Sequence, residues 1–150
     1  MLLRTHLMFG ILMIVLFAQH VNHQMVFIGM VLLATVLPDL DNGFSSWGRH
    51  LIFKPLQFFV KHRGVIHSFT TGVIVSVVIA FFWPVASLGF FVGYSVHLIC
   101  DSFTKEGIQP FWPLKARSKG FIVTGGRIEE SIFIFLILIN VLLIGMIFIF

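Results

Sequence analysis

Apolar residues fall along the chain in five runs, at about Leu2–Ala18, Val21–Leu37, Ser68–Phe82, Val85–Cys100 and Ser131–Phe150, with polar or Pro- and Gly-containing segments between them. The pattern predicts an all-α fold: a single integral membrane domain over residues 1–150, a polytopic chain of about five transmembrane helices. Most of the runs fall short of the roughly 20 residues that a full crossing prefers, so local thinning of the bilayer, or helix ends held by neighbouring protein, is expected. Only the last run is comfortably long. No internal repeat or low-complexity linker divides the chain.

The separators set the sidedness. Gln19-His20-Val21-Asn22-His23-Gln24 and Trp83-Pro84 are short enough for tight hairpins and share one side. The N-terminus and the loops Asp39–His67 and Asp101–Glu130 then lie together on the other. Every basic residue falls on that second side: Arg4, Arg49, Lys54, Lys61, Arg63, Lys105, Lys115, Arg117, Lys119 and Arg127. Positive charge gathers on the cytoplasmic side of inner-membrane proteins, which predicts a cytoplasmic N-terminus and a C-terminus outside.

Composition agrees with a bilayer as the solvent, since 58% of residues are hydrophobic and 11% charged. The net charge of +4 sits in short loops between apolar runs, so sidedness accounts for it and no nucleic-acid partner is expected. Cys100, the only cysteine, rules out an internal disulfide and a four-cysteine zinc site. Arg4 ahead of the first run resembles a signal peptide, but no small-residue cleavage site follows, and the segment reads as a retained span. Both long loops mix aromatic and basic residues, as in Leu51-Ile52-Phe53-Lys54 and Phe111-Trp112 before Lys115, and are expected in the headgroup layer beside membrane lipids. Each of these aromatics would equally serve as a plain interfacial anchor.

Sidedness also gathers the chemistry. All six acidic residues (Asp39, Asp41, Asp101, Glu106, Glu129, Glu130) and five of the seven histidines (His6, His50, His62, His67, His97) share the face of the basic residues. Ionisable groups at a membrane boundary are costly when unpaired, so their convergence points to binding or catalysis. His97 and Asp101 stand at i, i+4, on one helical face, where imidazole and carboxylate suit zinc, manganese or iron; the same spacing also serves a His–Asp hydrogen bond between helices. Pro38-Asp39-Leu40-Asp41 presents two alternating carboxylates that fit a cation or an ordinary turn. In His62-Arg63-Gly64-Val65-Ile66-His67-Ser68, Gly64 permits a tight turn, and Arg63 and Ser68 offer donors to an anion. Arg63 would equally be a topology charge and Ser68 an N-cap. His6 lies one turn inside the first helix. Glu129 and Glu130 open the last helix, where a carboxylate favours the helix dipole. His20 and His23 lie in the opposite hairpin, away from the rest.

In this order the clusters resemble the YdjM-like family of membrane-bound metal-dependent hydrolases. The likeness runs through Thr5-His6, Pro38-Asp39-Leu40-Asp41, His62-Arg63-Gly64, His67-Ser68, and His97 with Asp101, Thr104 and Gly107. Ile66 departs from it where a threonine is expected. The resemblance implies metal-assisted hydrolysis, and a fainter likeness to the helical zinc-dependent phospholipase C group points to phosphoesters. The expected site has His6, Asp39, Asp41, His67, His97 and Asp101 as ligands of one or two divalent ions, zinc before manganese or iron. His62, Arg63 and Asp101 act in catalysis, Arg63 also holding the anionic group, and Ser68 and Thr104 line the substrate. A lipid or lipid-linked phosphoester is the expected substrate. The alternatives are a metal-binding or ion-transporting protein without hydrolytic activity, and a purely structural subunit. The opposite face carries no carboxylate to receive a transported ion, which favours the enzyme.

Overall fold

The computed structural model describes residues 1–41 and 65–149. Among these residues the fold is all-α, with five α-helices: α1 (Leu3–Phe17), α2 (Gln24–Val36), α3 (Phe69–Phe82), α4 (Pro84–Ser102) and α5 (Arg127–Ile149). A 3-10 turn at Ala18–His20 completes the first hairpin, and a second, Leu37–Asp41, continues α2. Leu3–His20, Pro84–Ser102 and Arg127–Ile147 are long and apolar enough to cross a membrane; α2 and α3, at 13 and 14 residues, are shorter. A 14-residue helix reaches only about 21 Å, against a hydrocarbon core of about 30 Å.

Local chemistry sets the helix ends. Pro84 occupies the first turn of α4, where its missing N–H costs nothing. Trp83 before it, with non-helical φ and ψ of -147° and 74°, breaks the chain out of α3. Ser68 caps α3 by accepting the Thr71 N–H at 3.2 Å, so the apolar run from Ser68 begins with a cap rather than a helical residue. α5 starts at Arg127, four residues ahead of its apolar run, because Glu129 and Glu130 belong to its first turn. A cavity of about 300 Å³ is lined by His20, Val21, Asn22 and His23 of one hairpin and by Pro84 and Val85 of the other, which puts both hairpins at one end of the bundle.

α4 is the central helix and packs against α1, α2 and α3, while α5 packs against α1 and leaves most of its surface apolar and exposed. Close approach of α2 and α4 depends on glycine. A Cβ at Gly93 would lie 2.3 Å from the carbonyl oxygen of Val31, and one at Gly89 would lie 2.9 Å from that of Phe27. Ala34, Phe90, Tyr94, Leu98 and Ile108 form the core beneath this contact. Asn140 of α5 donates to the Met8 carbonyl of α1 at 3.1 Å.

Residues 103–126 fold back on themselves through mutual hydrogen bonds of 3.0 Å between Ile108 and Ser118 and a further pairing of Thr104 with Ile122. Gly107 turns there with φ of +65°, and a side chain on it would meet the Ser118 carbonyl. The Phe69 N–H donates to the Pro110 carbonyl at 2.8 Å, tying this segment to the start of α3. Phe111, Trp112, Leu114 and Phe121 stay exposed beside Lys115, Arg117 and Lys119. The corresponding stretch of the first long loop, Leu51–Lys61, lies outside the described residues.

Candidate metal centre

Four elements bring their polar residues to one buried point. α1 supplies His6, the 3-10 continuation of α2 supplies Asp39, the turn ahead of α3 supplies His67, and α4 supplies His97 and Asp101. The three imidazoles are fully buried and Asp101 is 2% exposed. His6 and His97 stack with ring centres 4.0 Å apart, and His67 meets His97 edge-on at 5.4 Å.

Backbone carbonyls set the tautomers. His97 Nδ1 lies 2.8 Å from the carbonyl oxygen of Thr35, and His6 Nδ1 lies 3.2 Å from that of Leu2. Carbonyls only accept, so each Nδ1 is the donor in these contacts, which leaves each Nε2 as the atom facing the rest of the cluster. Thr35 is available because it stands in the last turn of α2, where carbonyls lose their helical donors, and Pro38 three residues on has no N–H to offer. Both Nε2 atoms are buried without a hydrogen-bond partner. Each faces a carboxylate: His6 Nε2 is 3.3 Å from Asp101 Oδ1, and His97 Nε2 is 3.6 Å from Asp101 Oδ2 and 3.9 Å from Asp39 Oδ1. His67 Nε2 stands 3.8 Å from Asp101 Oδ2.

A neutral imidazole with its proton on Nδ1 turns its Nε2 lone pair to these carboxylate oxygens, a contact that a proton or a metal cation between them makes favourable. The spacing suits a metal cation. Around a tetrahedral ion with bonds of about 2.0–2.2 Å, ligand atoms sit about 3.3–3.6 Å apart. The nitrogen and carboxylate atoms form two overlapping groups, His6, Asp39, His97 and His67, His97, Asp101, each within 4.8 Å. The donor set is imidazole and carboxylate, and buried Cys100 belongs to neither group. The Met1 amine also donates to Asp101 Oδ1.

The other expected residues divide. Ser68 stands next to His67, with its hydroxyl committed to the Val65 carbonyl and the Thr71 N–H. Thr104 turns the chain behind Asp101, donating to the Asp101 carbonyl at 2.7 Å and accepting from Gly107 N–H at 3.2 Å. Both hydroxyls thus brace the backbone beside a candidate ligand. His62, Arg63 and the side chain of Asp41 lie outside the described residues. Glu129, left open by the sequence, is 1% exposed and accepts from Leu2 N–H, Thr5 Oγ1 and Gly125 N–H at 2.6, 2.8 and 2.7 Å. It anchors the first turn of α1, which carries His6. Glu130 pairs at the surface with Arg4. His20 and His23 sit at the far end of the bundle, as their hairpin requires.

Membrane-length apolar helices and a buried His/Asp cluster of ligand type define an α-helical membrane protein with a candidate metal centre. A family model matches residues 1–149 and is described as YdjM inner membrane protein. The chain belongs to that family. The inner membrane proteins YdjM of Escherichia coli (strain K12) and of Shigella flexneri are each 29% identical to it over 116 residues, covering 67% of this chain. The match spans 58% of the length of these relatives. No solved structure matches the chain.

Proposed function

We propose that this protein is a membrane-embedded, metal-dependent hydrolase acting on a lipid or lipid-linked phosphoester at the cytoplasmic face. The observation that carries the reading is the convergence of buried imidazole nitrogens and carboxylate oxygens, with the Nε2 atoms of His6 and His97 turned toward the carboxylate of Asp101. His6, Asp39, His67, His97 and Asp101 would hold a divalent ion, with zinc the first choice for this donor set. A bound ion would lower the pKa of a coordinated water and polarise the ester. Thr35 and Leu2 keep the two imidazoles in the ligating tautomer, and Glu129 holds the α1 turn that carries His6. From sequence alone, His62 is assigned proton transfer and Arg63 the anionic group.

One observation favours the alternative of metal binding without hydrolysis. The histidines are fully buried, and structural metal sites are closed whereas catalytic ones keep an open position. Protein purified without chelator is expected to carry zinc, manganese or iron in roughly stoichiometric amount and to hydrolyse members of a panel of phospholipids and polyprenyl phosphates. Stripping with chelator should abolish turnover, and adding the metal back should restore it. Stoichiometric metal with no turnover on any member would leave the binding protein. Absence of metal would sink both readings.

The proposed orientation has its own check. A reporter fused after Phe150 that works only outside the cytoplasm should be active, and the same reporter placed at the N-terminus should be silent. The reverse pattern would put the cluster on the other face of the membrane.

A further inference from the structure

We infer that Tyr94 is a positioning residue for His67, an inference that rests on the metal-centre reading. Tyr94 lies three residues before His97 and seven before Asp101 on α4, so all three share one helical face. Its ring is 1% exposed and stacks on Phe90 at 5.5 Å. Gly72 of α3 leaves the space it fills, since a Cβ there would lie 2.7 Å from Tyr94 Cδ1. The hydroxyl donates to the carbonyl oxygen of Ile66.

That carbonyl belongs to the peptide joining Ile66 to His67. The peptide unit is planar, so holding its oxygen fixes the direction in which the His67 backbone leaves it. His67 needs such a hold. It stands in a turn ahead of α3, where no helical ladder sets its orientation, yet its Nε2 lies 3.8 Å from Asp101 Oδ2 on another element. The Tyr94 hydroxyl references His67 to α4, the helix that already carries two of the ligands. Composition points the same way. The chain has 19 phenylalanines and a single tyrosine, and phenylalanine would fill the Gly72 notch equally well. What the tyrosine adds is the hydroxyl, which in an apolar setting demands a partner.

The test uses full-length protein in detergent, stripped of metal and titrated with zinc against a chromophoric chelator, with cobalt(II) as a spectroscopic substitute. Tyr94→Phe is expected to bind zinc about 10–100-fold more weakly, the range typical of losing a partner that orients a ligand, and to shift the cobalt absorption bands. Its metal-free thermal midpoint should match wild type. Gly72→Ala keeps the hydroxyl but crowds the ring, and should weaken zinc binding in the same direction. In a His67→Ala background, Tyr94→Phe should cost nothing further, because its effect runs through His67. Wild-type zinc affinity in Tyr94→Phe, an equal loss in both backgrounds, or failure of the metal-free variant to fold would overturn the positioning role alone. A wild-type protein that binds neither ion would overturn the metal reading and this role with it.

Discussion

Asp101→Asn is expected to abolish metal binding at the proposed centre while leaving the helical bundle intact. The two oxygens of Asp101 face different histidines, Oδ1 toward His6 and Oδ2 toward His67 and His97. An amide of the same size offers one oxygen, turns N–H groups toward the remaining neighbours and removes the charge a divalent ion requires. Metal affinity should fall by more than the roughly 10–100-fold that loss of an orienting partner costs. Any metal-dependent hydrolysis should fall by orders of magnitude. His97→Ala should lose as much, and the double variant little more, since residues acting as one unit are not additive. Metal content and turnover in the three variants, with elution volume as the check on folding, decide it. Folded Asp101→Asn that binds metal as wild type does would remove Asp101 from the proposed ligand set.

Gly93→Val is expected to damage both the fold and the site. The added Cβ would lie 2.3 Å from the Val31 carbonyl oxygen and 3.0 Å from the Val31 Cα. These are backbone atoms, so the contact is relieved only by moving α2 away from α4. Overpacking of this kind costs about 1–3 kcal/mol, enough to lower a thermal midpoint by several degrees. Parting the helices also draws Thr35 and Asp39 on one side from His97 on the other, so zinc binding should weaken with stability. Gly29→Ala in α2 is the control. Nothing lies within 4 Å of its Cβ position, and alanine is the better helix former. Equal midpoints for Gly93→Val and wild type would show that the α2–α4 contact relaxes freely.

Hydrophobic runs read well as helices because lipid and core both reward unbroken apolar surface. They read less well as boundaries. The Ser131 start missed the four residues of α5 in which charges open a helix, and run length alone gave no means of ranking α4 as the buried centre and α5 as the lipid-facing edge. His97 and Asp101 could be paired from sequence because helical geometry fixes i, i+4 neighbours. Their meeting with His6, Asp39 and His67 depended on sidedness together with family likeness, since nothing local links a first-turn histidine to residue 101. The supporting groups were beyond sequence reading. Thr35 acts through its main chain, which every residue possesses, and Glu129 looked like any acidic residue at a helix start until its three donors were in place.

Asn140 gives α5 something its apolar residues cannot. Ile134, Phe135, Ile137, Leu138, Val141 and Leu142 are all exposed, and a hydrocarbon solvent has little reason to prefer one side of such a helix over another. Left to those residues, the segment could spin about its own axis or slide along its neighbour at small cost. The hydrogen bond from the Asn140 amide to the Met8 carbonyl, with the Glu129 contacts to Leu2 and Thr5 about three turns earlier along α5, secures it at two separated points. Two attachments on one rod define both its rotational phase and its depth. A helix that supplies none of the candidate ligands thereby acts as the splint that keeps the α1 turn, and the imidazole of His6 with it, from drifting out of alignment with α4.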